Sequence, residues 1–268
     1  MSPDELERFL PSSALGQVRS IERIKHGLTN DSWRVITEHA DLVVRRGNAS
    51  ELSLQIDRTS ESVVLSAVAD AGLGPQVVLN QLDERILVTR YAGPTWTSES
   101  ALQLDNIDRL AKVFSLLHAL APPARVQHLD LEHVVSAYLA TLAAHDAASN
   151  LRASALQTQA THIVESLRRE SRACLCHNDV HALNVVQQDQ LRLIDWEYAG
   201  VGEPFFDLAS VCVYHTYDRQ RRQRLLASYD GDLRDDAYRR LELSCWLFEY
   251  IRDLWMAVRE LSGPTTSG

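Results

Sequence analysis

The first ninety residues alternate short apolar runs with polar or turn-rich breaks, the period of β-strands. Val18 to Lys25 (VRSIERIK), Asp31 to Thr37 (DSWRVIT) and Asp41 to Arg46 (DLVVRR) predict three strands, with the turn-rich loop His26-Gly27-Leu28-Thr29-Asn30 between the first two. Leu52 to Ala71 changes to helical spacing, and Gly72-Leu73-Gly74-Pro75 ends it. Gln76 to Leu79 and Arg85 to Thr89 predict two more strands. Tyr91-Ala92-Gly93-Pro94 breaks the pattern and divides the chain into an N-lobe, residues 1–91, and a C-lobe, residues 92–268.

Beyond Ser98 the spacing is helical. Leu104, Ile107, Leu110, Val113 and Leu117 form a stripe within Leu102 to Leu120, and Pro122-Pro123 stops it. Asp130 to His145 and Ala153 to Arg169 predict further helices. Between Ala173 and Leu193 short apolar runs return, and helices resume after Asp207 as far as Leu261. The expected class is α+β, with a β-rich N-lobe and a mainly α-helical C-lobe.

Composition narrows the class. The 268 residues are 45% hydrophobic and 24% charged, values of a globular protein able to bury a sizeable core. With 27 Lys+Arg against 36 Asp+Glu the formal charge is −9, the wrong sign for the basic footprint of a nucleic-acid binder. No apolar run approaches the roughly 18 residues of a membrane span. The N-terminus MSPDELERFL is acidic and amphipathic, unlike a secretion signal. A cytoplasmic protein with no nucleic-acid and no membrane partner is expected; nothing indicates its oligomeric state. Cys174 and Cys176 are separated by one residue, which puts both on one face of a strand but differs from the C-x-x-C of zinc and redox sites. They are expected to be small buried thiols.

Chemistry concentrates in Leu175 to Gly200, LCHNDVHALNVVQQDQLRLIDWEYAG. His177, Asp179, His181 and Asn184 follow one apolar run, and a second, Leu191 to Ile194, delivers Asp195. Asp179, Asn184 and Asp195 offer hard oxygen ligands or a base, a set suited to Mg2+ and phosphate and not to zinc. His177 and His181 have the four-residue spacing of a helical H-E-x-x-H site, but the Glu is absent and the setting favours a loop. His177 is expected to bond loop backbone instead.

The order H-N-D-x-x-x-x-N, then Ile194-Asp195-Trp196-Glu197, then Phe206-Asp207-Leu208-Ala209, resembles the catalytic and metal loops of the choline kinase, thiamine kinase and aminoglycoside phosphotransferase superfamily. These are small-molecule kinases with a protein-kinase-like fold. Gly27-Leu28-Thr29-Asn30 with Trp33-Arg34-Val35 is similar to the family's nucleotide loop, and Val43-Val44-Arg45 to the strand carrying its phosphate-binding cation. Arg58 to Glu61 is similar to the segment whose Glu pairs with that cation, and Ala71-Gly72-Leu73-Gly74-Pro75 to the family's helix end. The motifs cover residues 20–215. Leu183 departs from the small or polar residue common before the Asn, and the nucleotide loop has one Gly where two are usual.

The resemblance implies a bilobal protein-kinase-like fold and an ATP- and Mg2+-dependent transfer of phosphate to a hydroxyl. It implies Asp179 as catalytic base, Asn184 and Asp195 as Mg2+ ligands, and Arg45 as the phosphate cation with Glu61 its partner. Gly27, Leu28, Thr29 and Asn30 would cover the phosphates with backbone N–H groups. Thr89 to Tyr91 would be the hinge that meets adenine, and Asp207 would brace the catalytic loop. Glu197 is either an auxiliary metal or substrate ligand or the partner of an Arg that supports the loop.

For the acceptor, Cys245 to Glu260 has two faces at helical spacing. Leu247, Ile251, Leu254 and Val258 form one; Trp246, Tyr250 and Asp253 form the other, with Glu249 on its flank and Trp255 near the edge of the first. An aromatic and acidic surface suits a quaternary ammonium or thiazolium. Trp246, Glu249 and Trp255, with Glu197, are therefore candidate contacts for a small cationic alcohol, choline- or thiamine-like. Tyr214 and Tyr217 are lesser candidates, and plain core packing is the alternative for the aromatic residues. A sugar or aminoglycoside O-phosphotransferase stays open, as does a catalytically silent kinase-like binding protein, which intact Asp179, Asn184 and Asp195 argue against. A protein kinase is disfavoured, since Asn178 replaces the Arg of H-R-D and Asp195-Trp196-Glu197 replaces D-F-G.

Overall fold

In the computed structural model, residues 5, 8–9, 15–24, 30–47, 54, 56–145, 153–170, 172–231 and 235–261 are described. The N-lobe strands β1 (Val18–Ile24), β2 (Asn30–Thr37), β3 (Asp41–Gly47), β4 (Val77–Gln81) and β5 (Ile86–Arg90) pair antiparallel in the order β1-β2-β3-β5-β4. Alternation sorts their side chains by face. Leu42 and Val44 of β3 pack with Val35, Ile86 and Val88 in a small apolar core. Arg45 leaves β3 from the opposite face, in register with Ser32 and Leu87, while Arg46 is exposed.

Helix α1 (Arg58–Asp70) crosses between β3 and β4. Its start lies later than Leu52 because Asp57 caps it, its carboxylate accepting from the N–H groups of Thr59 and Ser60. Residues 51–53 and 55 lie outside the described residues. The helix ends as expected at Gly72, whose φ of +72° suits glycine. The linker then runs along the C-lobe: Trp96 N–H donates to Val185 O, and Gln187 N–H to Pro94 O. Gly93 passes so close that an added Cβ would stand 2.5 Å from the Gln187 carbonyl.

The C-lobe holds α2 (Ser98–Ala101), α3 (Leu104–Ala119), α4 (Leu131–His145), α5 (Gln157–Glu170), α6 (Pro204–Tyr214), α7 (Arg219–Tyr229) and α8 (Asp235–Leu261). Two short antiparallel ladders lie among them, β6 (Cys174–Cys176) with β9 (Gly200–Gly202), and β7 (Val185–Gln187) with β8 (Leu191–Leu193). Ile107, Leu110, Val113 and Leu117 of α3 are buried, as are Leu247, Ile251, Leu254 and Val258 of α8, so both predicted stripes face the core except at Leu104, the first residue of α3, which is exposed. Val64, Leu65 and Val68 of α1 join that core through Trp196, which ties the lobes together. The fold is the expected β-rich N-lobe on a helical C-lobe. Among the described residues no helix is long and apolar enough to cross a membrane.

Candidate active site

The catalytic loop leaves β6 as a chain whose backbone is held from below. Asp207, fully buried near the start of α6, accepts from the N–H groups of His177 at 2.9 Å and Asn178 at 2.6 Å, and lies 3.0 Å from His118 Nε2. A buried carboxylate is tolerable there because these donors replace its water. Asn178 takes a left-handed φ of +68° and donates its side-chain amide to Tyr198 O, joining the loop to the segment after Asp195. His177 stands between them, with Nε2 2.9 Å from Ile194 O and its ring 4.6 Å from that of Trp196. It bonds loop backbone, as expected.

This scaffold presents Asp179. Its Oδ1 accepts from the Tyr214 hydroxyl at 2.8 Å, and Asn184 Nδ2 donates to its backbone O at 2.9 Å. Burial pushes its carboxyl up to about 6, with the Tyr214 hydrogen bond pulling the other way. Nearby His181 lies 3.9 Å from Oδ2, but burial lowers it to about 4, so it is neutral at pH 7 and offers no ion pair.

Asn184 closes a 3-10 turn, and its carbonyl accepts from Ile194 N–H at 2.9 Å, which brings Asp195 beside it. Asp195 also has a left-handed backbone, φ +65°, a conformation that seldom persists without surrounding constraint. The constraint is Trp196, fully buried and donating Nε1–H to Leu193 O. Burial and the neighbouring Glu197, Glu61 and Asp179 raise the Asp195 carboxyl against the pull of Arg45. An oxygen donor set in a crowd of carboxylates fits a hard dication, which would relieve that repulsion.

The cation side is a network across the lobes. Arg45 Nη2 reaches Glu61 at 2.6 Å and its Nη1 reaches Asp195 at 3.2 Å. Arg58 Nη1 contacts Glu61 at 2.7 Å and Glu197 at 3.1 Å, and Arg58 Nη2 donates to Asn30 Oδ1. Asn30 Nδ2 in turn donates to Glu197 Oε2 at 2.7 Å. Burial works against the Glu61 charge, but the Arg45 and Arg58 guanidiniums outweigh it and hold its carboxyl below the usual range. Arg45 and Glu61 therefore meet as the resemblance implies, and Glu197, 2% exposed, stands in the Arg-paired position that supports the loop. Gly27, Leu28 and Thr29 lie outside the described residues. Thr89 is buried at the end of β5; Tyr91 lies under the Arg34 guanidinium at 3.8 Å, and its N–H donates to Asp41 O.

The aromatic candidates separate. Tyr214 stands edge-on to His181 and to Phe248 of α8, with ring centroids 5.0 and 5.4 Å apart. Trp255 donates Nε1–H to the Tyr198 hydroxyl, beside the metal loop. Trp246 instead stacks on Tyr250, whose hydroxyl reaches Ala153 O, and Glu249 is exposed beside Arg252. Tyr217 is buried against Ala101 O. Residue types within the loop motif did not disclose Arg58 as a bridge, His118 as the support of Asp207, or Tyr214 as the partner of Asp179.

Known proteins resemble the chain in sequence and fold. Protein LicA of Haemophilus influenzae is 26% identical over 286 aligned residues, covering 97% of this chain and 78% of that protein. A thiamine kinase of Salmonella heidelberg is 39% identical over 92 residues, 34% of this chain and 27% of that protein. The solved structure of choline kinase LicA from Streptococcus pneumoniae matches in fold with a TM-score of 0.83 at 22% identity, covering 97% of this chain and 91% of that one. The phosphotransferase enzyme family matches residues 20–243. With that match running from β1 through both lobes into α8, the chain belongs to the phosphotransferase enzyme family, the small-molecule kinases whose fold it has.

Proposed function

We propose that the chain transfers the γ-phosphoryl group of ATP to the hydroxyl of a small cationic alcohol, with choline the first candidate, in a Mg2+-dependent reaction. The observation that carries this is the setting of Asp179. Its carboxylate is held on the Tyr214 hydroxyl, at a corner beside the rings of Tyr214 and His181, with Phe248 packed edge-on behind Tyr214. Aromatic faces attract an alkylated ammonium that cannot donate hydrogen bonds, so they suit such an acceptor better than a polyhydroxyl ring. The match to the choline kinase LicA structure extends through nearly the whole chain and that to the thiamine kinase through a third, which favours choline over thiamine.

In this mechanism Asp179 Oδ2, with a 3.5 Å contact to the Asn184 amide, orients the acceptor O–H and takes its proton as the oxygen bonds to phosphorus. A carboxyl near 6 is ionised at neutral pH yet basic enough for that task. Arg45, braced by Glu61, brings a guanidinium to the phosphate oxygens. Asn184 and Asp195 would hold Mg2+, which would neutralise triphosphate charge. The net charge of −9 attracts a cationic acceptor.

The test is ADP release by purified protein with ATP and Mg2+ against choline, ethanolamine, thiamine, amino sugars and aminoglycosides. Choline or ethanolamine is expected to give the highest kcat/KM. Turnover confined to amino sugars or aminoglycosides overturns the acceptor class, and turnover unaffected by a Mg2+ chelator overturns the metal.

A further inference from the structure

The thiols of β6 lie outside the site described above. Cys174 and Cys176 are free and buried, with sulfurs 3.7 Å apart. The residues opposite them on β9, Gly202 and Gly200, have no side chains to come between them. His118, in the last turn of α3, brings a ring nitrogen to the pair, so that three ligand atoms lie within 4.8 Å of one another. Two sulfurs bound at about 2.3 Å to one tetrahedral ion of the zinc class stand about 3.8 Å apart, close to the separation the sulfurs already have.

The His118 ring is oriented as metal-binding histidines are. With Nε2–H donating to Asp207 Oδ2 at 3.0 Å, the tautomer is set and the lone pair lies on Nδ1. The Tyr229 hydroxyl stands 2.8 Å from Nδ1, the nitrogen left to take an ion. We propose that His118, Cys174 and Cys176 form a site for a soft divalent metal of the zinc class in the C-lobe core, behind the catalytic loop, with the Tyr229 hydroxyl giving up Nδ1 to the ion. Burial pushes the Cys176 thiol up. Binding releases two thiol protons to solvent, and two thiolates then balance the 2+ charge, leaving a neutral buried site. The ion ties β6 to α3 on the side from which Asp207 holds the catalytic-loop amides. Its role is to hold that scaffold, and it stands apart from the phosphoryl-transfer chemistry.

Co2+ reports this directly, because thiolate coordination gives an intense charge-transfer band and tetrahedral geometry gives strong visible bands. Chelator-treated, reduced protein titrated with Co2+ is expected to develop both bands with an end point at one ion per chain. Cys174→Ser is expected to lose the charge-transfer intensity, while Co2+ on the oxygen ligands Asn184 and Asp195 gives only weak bands that survive the substitution. Zn2+ should displace Co2+ and raise the Tm of the wild type by about 5 °C or more, with no such rise in folded Cys174→Ser. Absence of a charge-transfer band in the wild type, or its persistence in both Cys174→Ser and Cys176→Ser, overturns the site. Circular dichroism of each variant separates loss of ligand from loss of fold.

Discussion

Tyr214→Phe isolates how the site sets its base. The substitution removes one hydroxyl that donates to Asp179 Oδ1 at 2.8 Å and leaves the ring against Phe248 and His181. A hydrogen bond to a charged acceptor contributes about 1.5–3 kcal/mol. Tyr214 is 37% exposed, so solvent screening puts this one at the low end. About 1.4 kcal/mol is one pH unit, and the bond favours the ionised carboxylate, so its loss moves the Asp179 titration from about 6 upward by about one unit. The base works ionised; kcat/KM therefore falls as pH drops through that value, below about 6 in the wild type and below about 7 in the variant. At pH 6.5 the ionised fraction drops from about 0.76 to about 0.24, roughly a threefold loss, whereas at pH 8.5 the two enzymes differ by only about 3% on this account. Coupled ADP release at saturating ATP, measured over this pH range, reads the shift. An acidic limb that stays in place, or a loss equal at every pH, refutes the role assigned to the hydroxyl.

Asp179→Ala should lower kcat by at least about 100-fold with ATP affinity retained; isothermal titration with nucleotide separates the two, and near-wild-type turnover contradicts the base. Glu61→Gln leaves the Arg45 and Arg58 guanidiniums, both 13% exposed, without their shared carboxylate; a loss of about 3–5 kcal/mol by urea unfolding is expected, and a change under about 1 kcal/mol speaks against the network. Asp207→Asn turns an N–H group toward donors that need an acceptor, so kcat should fall and stability drop by about 2–4 kcal/mol in the same urea series. Gly93→Ala puts a Cβ 2.5 Å from the Gln187 carbonyl at a φ of +112° and should cost at least about 1–3 kcal/mol; an unchanged Tm would show that the linker yields.

The residues proposed for base and metal could be read together because they sit in one short segment whose chemistry dictates residue type. Asp179, Asn184 and Asp195 keep their order whatever packs around them, and the apolar runs of β6 and β8 announce the strands that carry them. Arg45 and Glu61 were legible as a pair only through the resemblance, since strand alternation separates Arg45 from Arg46 but does not say what lies opposite. The aromatic helix shows where periodicity stops. Spacing placed Trp246 and Trp255 on nearby faces of α8, yet Trp246 packs on Tyr250 toward Ala153 while Trp255 meets Tyr198. A 3.6-residue period defines faces; the angle at which a helix docks decides which of them sees the cleft.

By itself the sequence determined what depends on neighbours along the chain: strands by alternation, the end of α1 by its glycines, and the order of acid and amide groups in the loops. Tertiary structure alone decided what depends on elements far apart in the chain. It joined Asn30, Arg58 and Glu197 across the cleft, set Tyr214 on Asp179, and brought His118 to both Asp207 and the β6 thiols. The physical reason is one of range. Backbone sterics and local hydrogen bonds act over a few residues and leave their mark in spacing, whereas burying a charge or a thiol needs partners that only the packing of separate elements can supply.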